Sequence, residues 1–477
     1  LLISVMSLAC ASRSPEQRAI DDAAAALGGA DRLMAVRTLV IEGEGTHYNL
    51  GQDVVPDASG QTWHVTQYRR AIDLAGERAR TELSRVPKFT YWQGQAAQRQ
   101  VQGIDKTIAY NVGANGNASR AAAAAADDRR AELLRHPLTA LRAALDPAAQ
   151  LTNLRSQNGE SIVDVRTSDG REFTLAVDAS TKLPSRVTTA ANHVNLGDVL
   201  VSTTFADYQN VGGLQLPARL TTKTDDFTTA DVRVTKQAVD EDAGDLAAPA
   251  NVAAAALPAP QPPNVTVEEV SPGFWLLAGG SHHSALIEFA DHLMLIDAPQ
   301  NDARTLAVIA KARELRPDKP LTHLVNSHHH FDHSGGVRAA VSEGLTIITH
   351  EGNAAFIEQI VKRPRTRVPD VLAKNPKPLK IETVSGEKVI TDGARTVHLY
   401  PAPGEHSETM LMAYLPRERA LVVIDVYEPG EAVHPFAAAF LEDVKKRTLR
   451  VDRIVPLHGK IVPYSQFVKD AGSHSGS

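Results

Sequence analysis

The chain of 477 residues carries 50 Lys and Arg against 56 Asp and Glu, a formal charge of −6, with 43% hydrophobic and 22% charged residues. That balance excludes the basic excess by which nucleic-acid-binding domains are known, and the apolar content suffices for two or three domains at roughly 150 residues each. The single cysteine, Cys10, excludes an intramolecular disulfide and a cysteine cage for zinc, so any metal site must be built from Asp, Glu and the 18 His.

Residues 1–11 (LLISVMSLACA) form an apolar run too short to span a bilayer. The run reads as the tail of a signal peptide, which predicts export to a bacterial periplasm or cell envelope. Ala9-Cys10-Ala11 fits an A-x-A cleavage site that would release a soluble protein. Leu8-Ala9-Cys10 instead resembles a bacterial lipobox, which would leave a lipid anchor at Cys10, although Ser7 stands where a larger aliphatic residue is commoner. A short buried helix is the third reading. No other stretch approaches a membrane span.

Residues 12–241 read as a β-rich α+β domain. An amphipathic helix is expected over 15–36, interrupted at Gly28-Gly29. Alternating runs at 38–45, 62–74 and 78–85 predict strands, an Ala-rich helical stretch follows at 119–145, and period-two strands resume at 160–167, 172–178, 183–190, 198–208, 216–224 and 231–239. No cluster of His, Asp and Glu at ligand spacing occurs here, so His47, His64, His136 and His193 are read as structural.

Residues 242–264 (DAGDLAAPANVAAAALPAPQPPN) are Ala- and Pro-rich and unpatterned, which predicts a semi-rigid linker between two folding units. Over 265–470 strands alternate with helices: strands at 266–278, 284–289 and 292–296, a helix at 302–315, a strand at 321–327, a helix from about Gly336, a strand at 345–349 and a helix at 353–362. Four or five short strands follow between 379 and 424, then a helix near 437–449 and a strand at 452–457. Two sheets with helices outside them satisfy this α/β order. The small, polar residues 471–477 are expected to be a disordered tail.

The most informative segment is His328-His329-His330-Phe331-Asp332-His333, directly after an apolar strand and before Gly335-Gly336. In an extended segment alternate side chains share a side, so His328 and His330 can chelate one ion. The turn that follows re-aims Asp332 and His333 toward a neighbouring position. Imidazole with carboxylate suits Zn²⁺, and catalytic zinc keeps a position open for water.

From about residue 266 onward the chain resembles the metallo-β-lactamase-fold hydrolase superfamily, whose hallmark is H-x-H-x-D-H at a strand-to-loop junction. The resemblance implies an αββα sandwich and carries three further ligands onto this sequence: His406 in PAPGEHSET, Asp425 ending ALVVIDVY, and His458 in PLHGK. The implied set is His328, His330 and His406 for a first zinc ion, Asp332, His333 and His458 for a second, and Asp425 bridging them. Glu405 sits between Gly404 and His406 where many members run Gly-His directly, so that loop is expected to be shaped differently. Asp297, in LMLIDAP, matches a position that supports the His-rich loop from behind, as ligating histidines require. His282 and His283 are read as structural rather than cleft-lining, His350 as a helix-start residue, and His292, His323, His398 and His434 receive no functional role.

Two cations close together bring the pKa of a shared water to near neutrality, so hydrolysis by metal-activated hydroxide is the expected chemistry, with Asp332 as proton relay. Nineteen positions separate His406 from Asp425, too few for the large inserted domain of the family's nucleic-acid-processing branch, which leaves a small-molecule substrate. An Asp at 425 resembles the branch of thioesterases, lactonases and phosphodiesterases. The expectation is therefore an exported dinuclear zinc hydrolase acting on esters, thioesters or lactones. β-Lactam hydrolysis is the alternative, with an iron-dependent sulfur dioxygenase or a non-catalytic metal-binding carrier behind it. The N-terminal part weakly resembles periplasmic lipoprotein-sorting carriers in LGGADRLMAVRTLVIEGEG and FTLAVDASTKLPSRV. That likeness implies either a lipid-like or peptide-like ligand or a shield over the active-site mouth, while a structural or dimerisation module is the equal alternative.

Overall fold

The computed structural model describes residues 13–56, 61–89 and 96–472. The signal-peptide and lipid-anchor expectations at residues 1–11 lie outside the described residues. Among the described residues no helix is long and apolar enough to cross a membrane.

Among the described residues the N-terminal part is one antiparallel sheet of 13 strands. It is a meander with a single non-sequential pairing, in which the first strand, Thr38–Tyr48, lies against the last, Phe227–Val239. Helix Pro15–Leu27 starts where Ser14 caps the N–H of Gln17 and Pro15 presets the first turn. Its buried Ile20, Ala23, Ala24 and Leu27 recur at helical spacing and share an apolar cluster with Leu138 and Leu141 of helix Pro137–Leu145 and with Val163, Leu175, Val187 and Leu216 of the sheet. The expected Ala-rich helix is two helices, Ala123–Leu133 and Pro137–Leu145, because Pro137 cannot continue the first and His136 caps the second. Strands Gln98–Asp105, Ile108–Val112 and Gln150–Gln157 escaped the sequence pattern. Gln150–Gln157 is an edge strand that buries none of its residues, so no apolar alternation was needed to specify it.

The first half of the Ala/Pro-rich stretch is packed against the N-terminal part. Ala243 and Leu246 are buried against Val40 and Ala71, the Ala248 N–H donates to Asp105 at 3.0 Å, and a short helix, Ala250–Ala254, buries Val252. Small side chains let residues 243–254 lie against the sheet, whereas residues 256–262 are exposed.

After it come a seven-stranded and a six-stranded sheet, each with its strands in chain order. Strand Leu293–Ile296 shows the layering: Met294 and Ile296 face the core between the two sheets, while Leu293 and Leu295 face the cluster that takes up Val308, Ile309 and Ala312 of helix Asp302–Leu315. A strand covered on both faces reads as a continuous apolar run. On the far side of the six-stranded sheet, helices Ala437–Lys446 and Tyr464–Gly472 contribute Phe440, Val444 and Phe467. The architecture is thus α/β, helices on both sides of two facing sheets, preceded by the strand-rich N-terminal part. The last helix corrects the expected tail: it runs through Gly472 and buries Ala471, an apolar contact that the small, polar composition from 471 onward hid. Residues 473–477 lie outside the described residues.

Candidate metal centre

The candidate ligands gather where strands end. Strand Leu321–Val325 runs parallel to Leu293–Ile296 and to Thr346–His350, and its exit carries Ser327 into His328 and His330, both fully buried. A four-residue helical turn, Phe331–Ser334, then swings His333 to the neighbouring position. Gly336 closes the turn against helix Asp302–Leu315, where a Cβ would lie 1.8 Å from the Thr305 hydroxyl. His406 follows strand Thr396–Pro401, Asp425 follows Ala420–Val423, and His458 follows Arg453–Pro456.

The structure gathers six of the seven expected ligands, five histidines around the Asp425 carboxylate. Asp425 Oδ2 lies 3.2 Å from His328 Nε2, 2.9 Å from His406 Nε2 and 3.1 Å from His333 Nε2, while Oδ1 lies 2.8 Å from His458 Nε2. Ligand atoms of His328, His330, His406 and Asp425 all fall within 4.8 Å of one another, as do those of His282, His333 and His458. Asp425 holds this place at φ +49° and Asp297 at +69°, left-handed conformations that Asp tolerates better than most residues. Asp297 lies behind the loop: Oδ2 accepts from His333 Nδ1 at 2.7 Å and from the Ser327 hydroxyl at 2.8 Å, and Oδ1 accepts the Ser327 N–H.

Asp332 is the exception. Among the described residues it joins no group of ligand size; its Oδ1 accepts from Gln52 Nε2 at 2.7 Å and its Oδ2 lies 3.0 Å from His282 Nε2. His282, read from sequence as structural, stands in its place beside His333 and His458. Glu428 also comes within ligand range of Asp425 and His458. Adjacency in GSHHSALIEF gave no sign of His282's placement, because it depends on a loop meeting a distant turn. His283, by contrast, bonds the Gly459 carbonyl, and His350 caps the turn at Gly352.

The electrostatics suit a cation. Burial, reinforced by the charge of His333, lowers His328 to about 4. Burial and the neighbouring His328 and His406 likewise hold His330 well below the ordinary imidazole value. Both are therefore neutral imidazoles, the form that donates a lone pair to a metal. Burial opposes charge on His333 and His458, yet Asp425 and its neighbours outweigh it and raise both. A carboxylate field that retains protons there favours a metal cation equally. The fit is sharpest at His330, whose buried Nδ1 has no hydrogen-bond partner although Nε2 has one at 2.8 Å. An orphaned imidazole nitrogen facing a cluster of donors is what a metal ligand requires.

Residues 277–465 match the family model described as the Metallo-beta-lactamase superfamily. Among solved structures the chain is similar to a metallo-beta-lactamase from Pontibacter korlensis, at 16% identity over 45% of this chain and 100% of that one, with a TM-score of 0.37. It is also similar to the metallo-beta-lactamase FIM-1 from Pseudomonas aeruginosa in its mono-zinc form, at 18% identity over 45% and 97%, TM-score 0.35. A third is the stereoselective inverting sec-alkylsulfatase Pisa1 from Pseudomonas sp., at 20% identity over 43% and 41%, TM-score 0.34. The stretch that carries the histidine loop, Asp425 and His458, residues 277–465, is a metallo-beta-lactamase superfamily domain.

Proposed function

We propose that the protein is an exported, zinc-dependent hydrolase that holds two ions and acts on esters, thioesters or lactones. The observation that carries this reading is Asp425, one carboxylate whose Oδ2 lies within 3.2 Å of His328, His406 and His333 and whose Oδ1 lies 2.8 Å from His458. The donor set, imidazole and carboxylate without thiolate, suits zinc. His328, His330 and His406 would hold one ion and His333, His458 and His282 the other, with Asp425 between them. When bound, such cations supply hydroxide at neutral pH and polarise the substrate oxygen.

The chain's own residues supply orientation and proton handling. Asp297 fixes the His333 ring through Nδ1. Burial opposes ionisation of Asp332, but the His333 charge and the His282 hydrogen bond hold its carboxyl far below the ordinary range. Asp332 Oδ2 is then an ionised acceptor where a proton released in hydrolysis can be taken up.

The test is an initial-rate comparison on zinc-loaded protein of a lactone, a thioester, a phosphodiester and a chromogenic cephalosporin, with His330→Ala as blank. Turnover of the lactone or thioester, lost in His330→Ala, is the expected result. Preference for the cephalosporin would move the substrate class to β-lactams. Equal rates in wild type and His330→Ala would overturn the metal assignment.

A further inference from the structure

Four consecutive residues of the N-terminal part, 51–54, each bond to the loops that carry candidate ligands. The Gly51 carbonyl accepts the Phe331 N–H at 3.1 Å, the Gln52 amide donates to Asp332 Oδ1 at 2.7 Å, and the Val54 carbonyl accepts the Glu408 N–H at 2.9 Å. The Asp53 carbonyl lies 2.8 Å from His330 Nε2. The segment is itself fixed: the Asn49 N–H donates to the Gln61 carbonyl, and Asp53 Oδ1 accepts the Gln61 N–H inside the protein. A second N-terminal residue, Asn195, donates to the Phe331 carbonyl at 3.1 Å.

We infer that residues 51–54 form a strap that belongs to the metal centre, positioning His330 and Asp332 from outside the hydrolase domain. The inference rests on the metal-centre reading above. Its chemistry is specific. A carbonyl can only accept, so Asp53 requires the His330 proton on Nε2 and leaves Nδ1 as the lone pair that faces His328 and His406. The Gln52 amide occupies one oxygen of Asp332 and leaves the other to His282. Gly51 permits the approach: it sits at φ +81°, and a Cβ there would lie 2.2 Å from the Phe331 ring. A loop that merely covered the cleft would need none of these directed bonds.

The test uses the full chain with Gln52→Leu, which deletes the donor at similar size, and Gly51→Val, which forces the strap away from Phe331. Zinc affinity is read by competition with a chromogenic chelator, and the ligand field by the visible spectrum of the cobalt-substituted protein. Loss of a group that orients a ligand costs about 10- to 100-fold in metal affinity or activity. The expected result is a fall of that size in affinity for at least one ion and a shifted cobalt spectrum. On whichever substrate is turned over, kcat should fall with KM little changed. Gln52→Leu leaves the backbone alone and keeps the test decisive if Gly51→Val does not fold. Wild-type affinity and an unchanged cobalt spectrum in Gln52→Leu would overturn the strap's role while leaving the metal centre standing. A wild-type chain that takes up neither zinc nor cobalt would overturn the metal-centre reading and the strap with it.

Discussion

Asp297 Oδ2 accepts a 2.7 Å hydrogen bond from His333 Nδ1, and the same carboxylate takes both the N–H and the hydroxyl of Ser327, one residue before His328. One fully buried side chain therefore sets the ring of one candidate ligand and the backbone that presents another. Asp297→Asn keeps the shape, and Asn tolerates the φ of +69°. The amide cannot accept from all three donors. Zinc affinity should fall about 10- to 100-fold with the circular dichroism unchanged. Undiminished affinity by chelator competition would mean that His333 is not held for a metal.

Asp425 invites a second substitution of the same kind. Asp425→Asn preserves volume and the φ of +49° but removes the negative charge that four imidazole nitrogens approach at 2.8–3.2 Å. In the wild type, zinc at 100 times its dissociation constant should add about 2.7 kcal/mol of stability, and a chelator should remove it. In Asp425→Asn that zinc-dependent gain should largely vanish. Thermal unfolding of both proteins with zinc and with chelator measures it, and an equal gain in the variant would count against a bridging carboxylate.

What the sequence made legible here is local. The string from His328 to His333 announces a metal site because its spacing is read within one strand exit, and the helix at Asp302–Leu315 announces itself by period and by its Asn301 cap. Asp297, Asp425 and His458, each at the end of an apolar strand, were picked out by the family resemblance and not by the strand pattern itself. The role of Gln52 and the place of His282 were not legible. Each depends on a contact across tens to hundreds of residues, 280 for Gln52 with Asp332 and 50 for His282 with Asp332, and no periodicity records such a meeting. The partners of Asp332 were hidden for the same reason, since its two oxygens are engaged by residues that the motif does not contain.

The N-terminal sheet is tied to the C-terminal domain by Arg365, which donates to the carbonyls of His193, Val194 and Asn195 at 3.1, 2.7 and 2.7 Å. Leu196 and Val199 beside them enter the same apolar cluster as Phe356 and Ile357. Arg365→Met keeps the aliphatic stem but leaves these carbonyls without their donor, at a cost of about 3 kcal/mol. Urea unfolding should show a lower midpoint. Because Asn195 also holds the Phe331 carbonyl, zinc affinity should fall in the same variant. A midpoint within experimental error of wild type would mean that the two parts do not depend on this contact.

His136 gives the fold a predictable response to acid. It is buried at the start of helix Pro137–Leu145, where Nδ1 accepts the Leu138 N–H, and burial lowers it from 6.5 to about 3. Between those values the unfolded chain binds a proton that the folded chain refuses, so stability is intact above the unfolded pKa and declines as pH falls through the window. From pH 7 to pH 5 this one group should cost about 2 kcal/mol, at 1.36 kcal/mol per pH unit below 6.5. His136→Asn retains a helix cap and removes the titration. Its urea midpoint should therefore fall less between pH 7 and pH 5 than the wild-type midpoint does. Some slope will persist, because burial also lowers His47 and His193 to about 4. Parallel slopes in the two proteins would show that His136 takes up its proton without unfolding the chain.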